Sequence, residues 1–355
     1  MSKSQLLALA FAGFLNGSLA SEIYLRFDFN NYAEPTSIGS FLHEFDGDFE
    51  GGTQAFAHEW METGIRSGAW EVGVFSRYDY DLSFSEDLAE LYYLATNKLP
   101  LEIGKSYNID LSAKYYRTDG IRVGHTFKPN ETLQATIGVA YLRGHRLTDG
   151  QLTGSAVALS DDDYDFSFQT DYYYSEDPLF DREVEAPTGW GYSADLSLDW
   201  KPNPFIALNL QVYDLFGRIF WDQAPHTIAT ANSDNKTYDD DGYVEFTPTL
   251  SGQEEYRDFE QTLNPFGSMR ASFRVYTNLG LLYQEDFTSE TNFSGYGASY
   301  IFDSHQSIAL LYHPETKAWE IEYYGPYWKL RLAGDALSQD QSNLIRLSGN
   351  FSYPF

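Results

Sequence analysis

Cysteine is absent from all 355 residues, which excludes disulfides and thiolate metal sites outright. A chain of this kind can be exported and mature without an oxidant. Long hydrophobic runs are almost as scarce. The one clear run, Leu6–Leu15, is about half the ~20 residues that a spanning helix needs. No later segment matches it, so transmembrane helices are not expected in the body of the chain. Basic residues are few: 23 Lys and Arg stand against 52 Asp and Glu, a formal net charge of −29. Phosphate backbones are repelled by such a surface, and nucleic acid is therefore not an expected partner. There is no Pro/Gly linker, fixed-period repeat or shift of composition to mark a second folded unit.

Aromatic rings are abundant. Tyr and Phe number 28 and 26, yet the mean hydropathy is only −0.41. A wall with one face in lipid and the other in water on every strand reconciles the two. The order of residues agrees. Trp190, Tyr192, Ala194, Leu196, Leu198 and Trp200 fall on one face of a strand, and Gly191, Ser193, Asp195, Ser197 and Asp199 on the other. Rings at both ends with aliphatic residues between suit two membrane interfaces, and about eleven residues suit one tilted crossing. The same alternation runs through Ile23–Phe29, Trp70–Asp81, Tyr107–Tyr115, Leu133–Tyr141, Tyr164–Tyr174 and Met269–Val275.

Short connections such as Arg66-Ser67-Gly68, Lys128–Glu131, Lys201–Pro204, Tyr276–Asn278 and Asp303–His305 read as tight turns. Long polar ones, Asn31–Gly52, Ser175–Thr188 and Gly217–Pro265, read as loops of the opposite end. The last is long enough to fold into a pore or to hide a hairpin. The fold expected is all-β: a single transmembrane antiparallel β-barrel of about 16–18 strands, an even number with both termini periplasmic.

The two ends carry the localisation. Lys3, the apolar run and Asn16-Gly17-Ser18-Leu19-Ala20 have the order of a signal peptide, so residues 1–20 are expected to be cleaved and 21–355 to form the barrel. At the other end Leu347, Phe351, Tyr353 and Phe355 share one parity. This resembles the terminal-strand signal of Gram-negative outer-membrane β-barrels, here of porin-like type. Pro354 departs from the pattern but sits where a strand ends. The resemblance implies an integral protein of the outer membrane. It implies as partners outer-membrane lipid, lipopolysaccharide and the barrel assembly machinery, and is compatible with a homo-oligomer.

If the apolar faces meet lipid, the other parity lines a lumen. Acidic candidates are Asp163, Asp165, Asp171, Asp195 and Asp199; basic candidates are Arg270, Arg274, Lys329, Arg331 and Arg346. Opposed walls of unlike sign would set a transverse field across water. The competing expectation is pairing with near neighbours such as Glu320 and Glu322. Tyr24, Tyr116, Tyr173 and Tyr213 share the lumen parity and would offer ring faces to a solute. Seven histidines are scattered, with neither G-x-S-x-G nor H-E-x-x-H, so no enzyme and no catalytic residue is expected. The runs Ser160–Asp163 and Tyr238–Gly242 lack the spacing of a calcium loop, and no metal or cofactor is assigned. The expected function is passive diffusion of small hydrophilic solutes through a porin-like channel. The alternative is a non-channel barrel acting as an adhesin or as the membrane part of an export or surface-attachment complex.

Overall fold

Alternating segments become long antiparallel strands because only pairing can satisfy their backbone groups in lipid. The computed structural model describes residues 21–43, 45–233, 236–238, 244–246, 250–303 and 305–355. The expected leader 1–20, its cleavage point and residues 239–242 of the acidic run lie outside them. Among the described residues no helix is long and apolar enough to cross a membrane.

The strands are β1 (Ser21–Ala33), β2 (Gln54–Ser67), β3 (Trp70–Phe84), β4 (Ser106–Asn130), β5 (Leu133–Ala158), β6 (Tyr164–Tyr174), β7 (Thr188–Asn203) and β8 (Ile206–Asn232). A small separate pair, β9 (Lys236–Tyr238) and β10 (Val244–Phe246), follows, then β11 (Leu250–Thr262), β12 (Phe266–Arg274), β13 (Leu279–Phe287) and β14 (Asn292–Ile301). The last are β15 (Ser307–His313), β16 (Ala318–Tyr324), β17 (Trp328–Gly334) and β18 (Leu344–Pro354).

Pairing closes a ring of fourteen strands: β1 to β5 in order, then β7, β8 and β12 to β18, with β18 returning to β1. The sheet holds sixteen strands in all. The two outside the ring, β6 and β11, account for the gap between fourteen and the expected sixteen to eighteen. β4, β5 and β8 run for 25, 26 and 27 residues, more than twice the ~9–11 a crossing needs. Their excess length rises beyond the ring as a wall, in which β6 takes the place of β7 between β5 and β8, and β11 pairs with the far end of β8. The stretch Gly217–Pro265, expected as a loop, is therefore largely wall.

The outer face carries two belts of rings with aliphatic residues between. Trp70, Trp200, Phe205, Tyr276 and Tyr300 are exposed near the short turns, and Tyr141, Tyr192, Tyr296 and Trp319 at the other boundary. Tyr283, Tyr296, Tyr312 and Trp319 stand opposite one another on four successive strands. Val139, Leu281, Ile321 and Leu332 are exposed between the belts, the pattern of a lipid-facing band about 25 Å tall.

Two helices and one excursion dress the wall beyond the band. Helix α1 (Ile38–Leu42) sits in the β1–β2 connection. In α2 (Glu86–Thr96) the Ser85 side chain accepts the Leu88 amide, and Glu86 and Asp87 occupy the first turn, where a helix favours anions. Leu91 of α2 packs against Tyr107, Ile109, Ala156 and Ala158, covering the outside of β4 and β5. The segment Ser175–Pro187 leaves the wall between β6 and β7 and lies over the outer face of β6. Its Asp177 accepts from the Tyr172 hydroxyl at 2.8 Å, from the Leu179 and Phe180 amides at 3.1 Å, and from the Arg182 guanidinium. Burial alone would raise the Asp177 carboxyl, but these donors outweigh it and leave the group below its ordinary value.

Candidate functional site

Inside the ring, cross-strand register sets the side chains in rows. Arg26, Asp28 and Asn30 of β1 face Glu62, Trp60 and His58 of β2, and these face Phe75, Arg77 and Asp79 of β3. On the other side Asp28 faces Ser348 of β18, which faces Arg331 of β17, which faces Glu322 of β16. Charged residues thus meet at strand spacing, and buried charge must be paired.

Three networks result. Near the turns, Arg122 donates to Asp195 at 2.7 Å and also contacts Glu71, while Arg26 contacts Glu71 at 2.8 Å and the Tyr24 hydroxyl donates to Glu62 at 2.5 Å. Gly138 makes this possible: a Cβ there would lie 2.1 Å from the Asp195 carboxylate and 2.3 Å from the Arg122 guanidinium. Higher up, Arg77 bonds Asp214 at 2.8 Å and the Tyr116 hydroxyl at 2.7 Å, and Asp79 accepts from His58 at 2.8 Å. Asp214 reaches inward from a left-handed backbone position (φ 58°), where β8 departs from register with β7. Across the lumen, Glu320 and Glu322 are wholly buried among Arg270, Arg331, Arg346 and His313, and Asp286 pairs with Arg346 at 2.5 Å.

An apolar plug fills the lumen on the side of the extended wall. Phe75, Tyr116, Leu142, Leu147, Ile219, Trp221 and Leu263 pack together there. The Trp221 indole lies between Gly144 and Gly189, where any Cβ would fall within 2.7 Å of its ring, and its N–H donates to Gln261 at 3.2 Å. Between plug and networks lies a partly open cavity of about 180 Å³. Rings form one side of it: Trp60 against Tyr213 (centroids 5.2 Å), Tyr213 on Phe266 (5.2 Å) and Phe266 flat on His58 (4.9 Å, 3° apart). Lys329, Arg331, Arg346 and Asp28 stand on another.

The residues singled out from sequence are dispersed. Arg270, Arg331 and Arg346 come together in the third network, and Lys329 borders the cavity. Asp195 joins Arg122 on the opposite side. Asp199 accepts from Asn209 close to the turns, and Arg274 is exposed at the end of β12. Asp165 and Asp171 are on the inner face of β6, beyond the lipid band, and accept from Ser233 and His226. Asp163 is in the exposed turn before them. The wall bearing Arg270, Arg331 and Arg346 also bears Glu320, Glu322 and Asp286. Neighbour pairing, not opposed walls of unlike sign, is what the geometry shows. Of the four tyrosines, Tyr213 borders the cavity, Tyr24 and Tyr116 anchor networks, and Tyr173 stacks on Phe259 and His226 in the extended wall.

Glu62, Glu71, Arg77, Asp79, Arg122 and Asp214 were not singled out from sequence. The alternation along Trp70–Asp81 does put Glu71, Arg77 and Asp79 on the face opposite Trp70, Tyr78 and Tyr80.

No family model matches the chain, and no curated protein matches it. Among solved structures it is similar to a deletion mutant of the monoaromatic hydrocarbon channel TodX, at 9% identity over 99% of this chain and 94% of that one, with a TM-score of 0.42. A FadL homologue of Pseudomonas aeruginosa is 8% identical over 94% and 88%, with a TM-score of 0.38. The toluene transporter TbuX of Ralstonia pickettii is 12% identical over 96% and 90%, with a TM-score of 0.30. The chain's own pairing establishes the fold: a closed, fourteen-stranded antiparallel barrel.

Proposed function

We propose that this barrel is an outer-membrane channel for passive diffusion of small hydrophilic solutes. The observation that carries the reading is the interior of the ring. Barrels of about 8 strands fill their lumen with side chains, and those of about 16–18 leave an aqueous channel. This one, with fourteen, keeps a partly open cavity lined by charge. Charged and amide groups that face water along a conduit lower the cost of moving a polar solute across a low-dielectric layer. Because the networks are internally paired, the lumen offers a mixed dipolar surface and not a field of one sign.

A non-conducting barrel is the second reading, and the plug around Trp221 and Leu263 favours it. Planar-bilayer recording of the folded protein separates the two. Discrete openings whose size is set by salt concentration support the channel. Silence from protein whose gel mobility changes on boiling supports the non-conducting barrel, with the extended wall as its working surface.

A further inference from the structure

The cavity beside Asp28 has unspent hydrogen-bonding capacity of both signs. Among the described residues Asp28 makes no hydrogen bond or ion pair, although it is on the lumen face and exposed there. Lys329 likewise has no ion pair, its ammonium lying 4.7 Å from the centre of the Tyr324 ring. Two further donors of cavity-lining side chains, the Trp60 indole N–H and the Arg26 Nε–H, are unmatched but closed off from the open space. Register places all four in one patch: Trp60 faces Asp28, Arg26 is the next inward residue on the same strand, and Asn350 links Arg26 to Lys329. Every other charge on this surface is already held by a neighbour.

One carboxylate and one ammonium without ion pairs in the same cavity do not suit a simple anion, which Asp28 would repel. Nor do they suit a simple cation, which Lys329 would repel. A neutral hydrocarbon would leave both charged groups unsatisfied. Next to the patch Trp60 meets Tyr213 edge-on and Tyr213 stacks on Phe266, so these rings pack into a continuous apolar wall. The volume agrees with a single ring: about 180 Å³ here, against the ~150 Å³ of a cavity that admits benzene.

We propose that the cavity is a binding station for a zwitterion with one aromatic ring, an aromatic α-amino acid. Its ammonium meets Asp28, its carboxylate meets Lys329, and its ring lies against the apolar wall of Trp60, Tyr213 and Phe266. The station rests on the reading of the lumen as a solute path, and it names the solute.

The test is isothermal titration calorimetry on the folded barrel in detergent with four probes: phenylalanine, phenylacetate, phenethylamine and glycine. Phenylalanine is expected to bind at least about tenfold more tightly than each of the others, since each lacks one charged contact or the ring. Asp28→Asn should erase the advantage over phenylacetate, and Lys329→Gln the advantage over phenethylamine. Equal binding of phenylalanine and phenylacetate, or no binding of any probe by the unaltered protein, overturns the proposal without recourse to a variant. Ion conductance recorded with no solute keeps the two readings apart. A barrel that conducts but does not bind refutes the station alone, and one that binds but never conducts refutes the channel alone.

Discussion

Arg122 is the residue whose removal tests the account of the interior most sharply. It is buried, it is the only cation that Asp195 contacts among the described residues, and it shares Glu71 with Arg26 and Arg66. In Arg122→Met, Glu71 keeps two partners while Asp195, 7% exposed, keeps none. Removing one partner of a buried pair costs about 3–5 kcal/mol, a shift of roughly two to three and a half decades in the unfolding equilibrium at ~1.4 kcal/mol per decade. Replacing both partners by apolar groups of similar volume is often neutral. Arg122→Met combined with Asp195→Leu should therefore recover most of the loss. Urea unfolding in lipid vesicles, followed by tryptophan fluorescence, measures both. A single variant within about 1 kcal/mol of the parent, or a double variant no better than the single, refutes the claim that pairing holds this charge inside.

Three other outcomes follow from the same geometry. Trp221→Ala removes the largest ring of the plug; single-channel conductance should rise, and stability fall by about 3–5 kcal/mol, while unchanged conductance would mean that the plug is not on the path. Gly138→Ala puts a Cβ into the Asp195–Arg122 contact; a loss of about 1–3 kcal/mol in the same urea assay is expected, and an unaffected variant would show that the contact is looser than described. The docking of Ser175–Pro187 should depend on pH in one direction. The Asp177 carboxyl is lowered in the folded protein, so its contribution is present above the unfolded value near ~3.9 and lost as pH falls through the folded value. Protection of the Leu179 and Phe180 amides from hydrogen exchange, taken relative to the free-chain rate at each pH, should hold at neutral pH and fall only in strong acid; Asp177→Asn should abolish it throughout, and retained protection in that variant would sink the argument.

Most of the barrel was legible from alternation, because a period of two leaves each residue only two faces to choose between. Trp190–Trp200 shows this well: its rings and aliphatic residues face outward and Ser193 and Asp195 inward, as the order of residues requires. The wall beyond the band was harder to read. Strand β11 carries Gln253, Glu254 and Glu255 in sequence, and with water on both faces nothing forces its residues to alternate. Helix α2 did carry a local sign, Ser85 ahead of Glu86, Asp87 and an apolar Leu88, but it lay between two stronger strand patterns. Lumen residues were legible in parity and not in partnership. Arg331 and Glu320 could be placed inside, yet which carboxylate meets which guanidinium depends on register, and register is set by turns and bulges across the whole ring.

The join between β1 and β18, where Leu25 faces Phe351, has a consequence for biogenesis. Most neighbouring pairs in the ring are consecutive in sequence, and even β5 with β7 and β8 with β12 are separated by far less chain, whereas this join spans nearly the whole chain and closing it carries the largest loop entropy. Until β18 arrives, the free edge of β1 exposes a row of unpaired N–H and C=O groups that any extended segment could capture. The vulnerable moment of assembly is thus the final one, and a helper that shields a single edge until the last strand docks would be enough to keep it from misassembling.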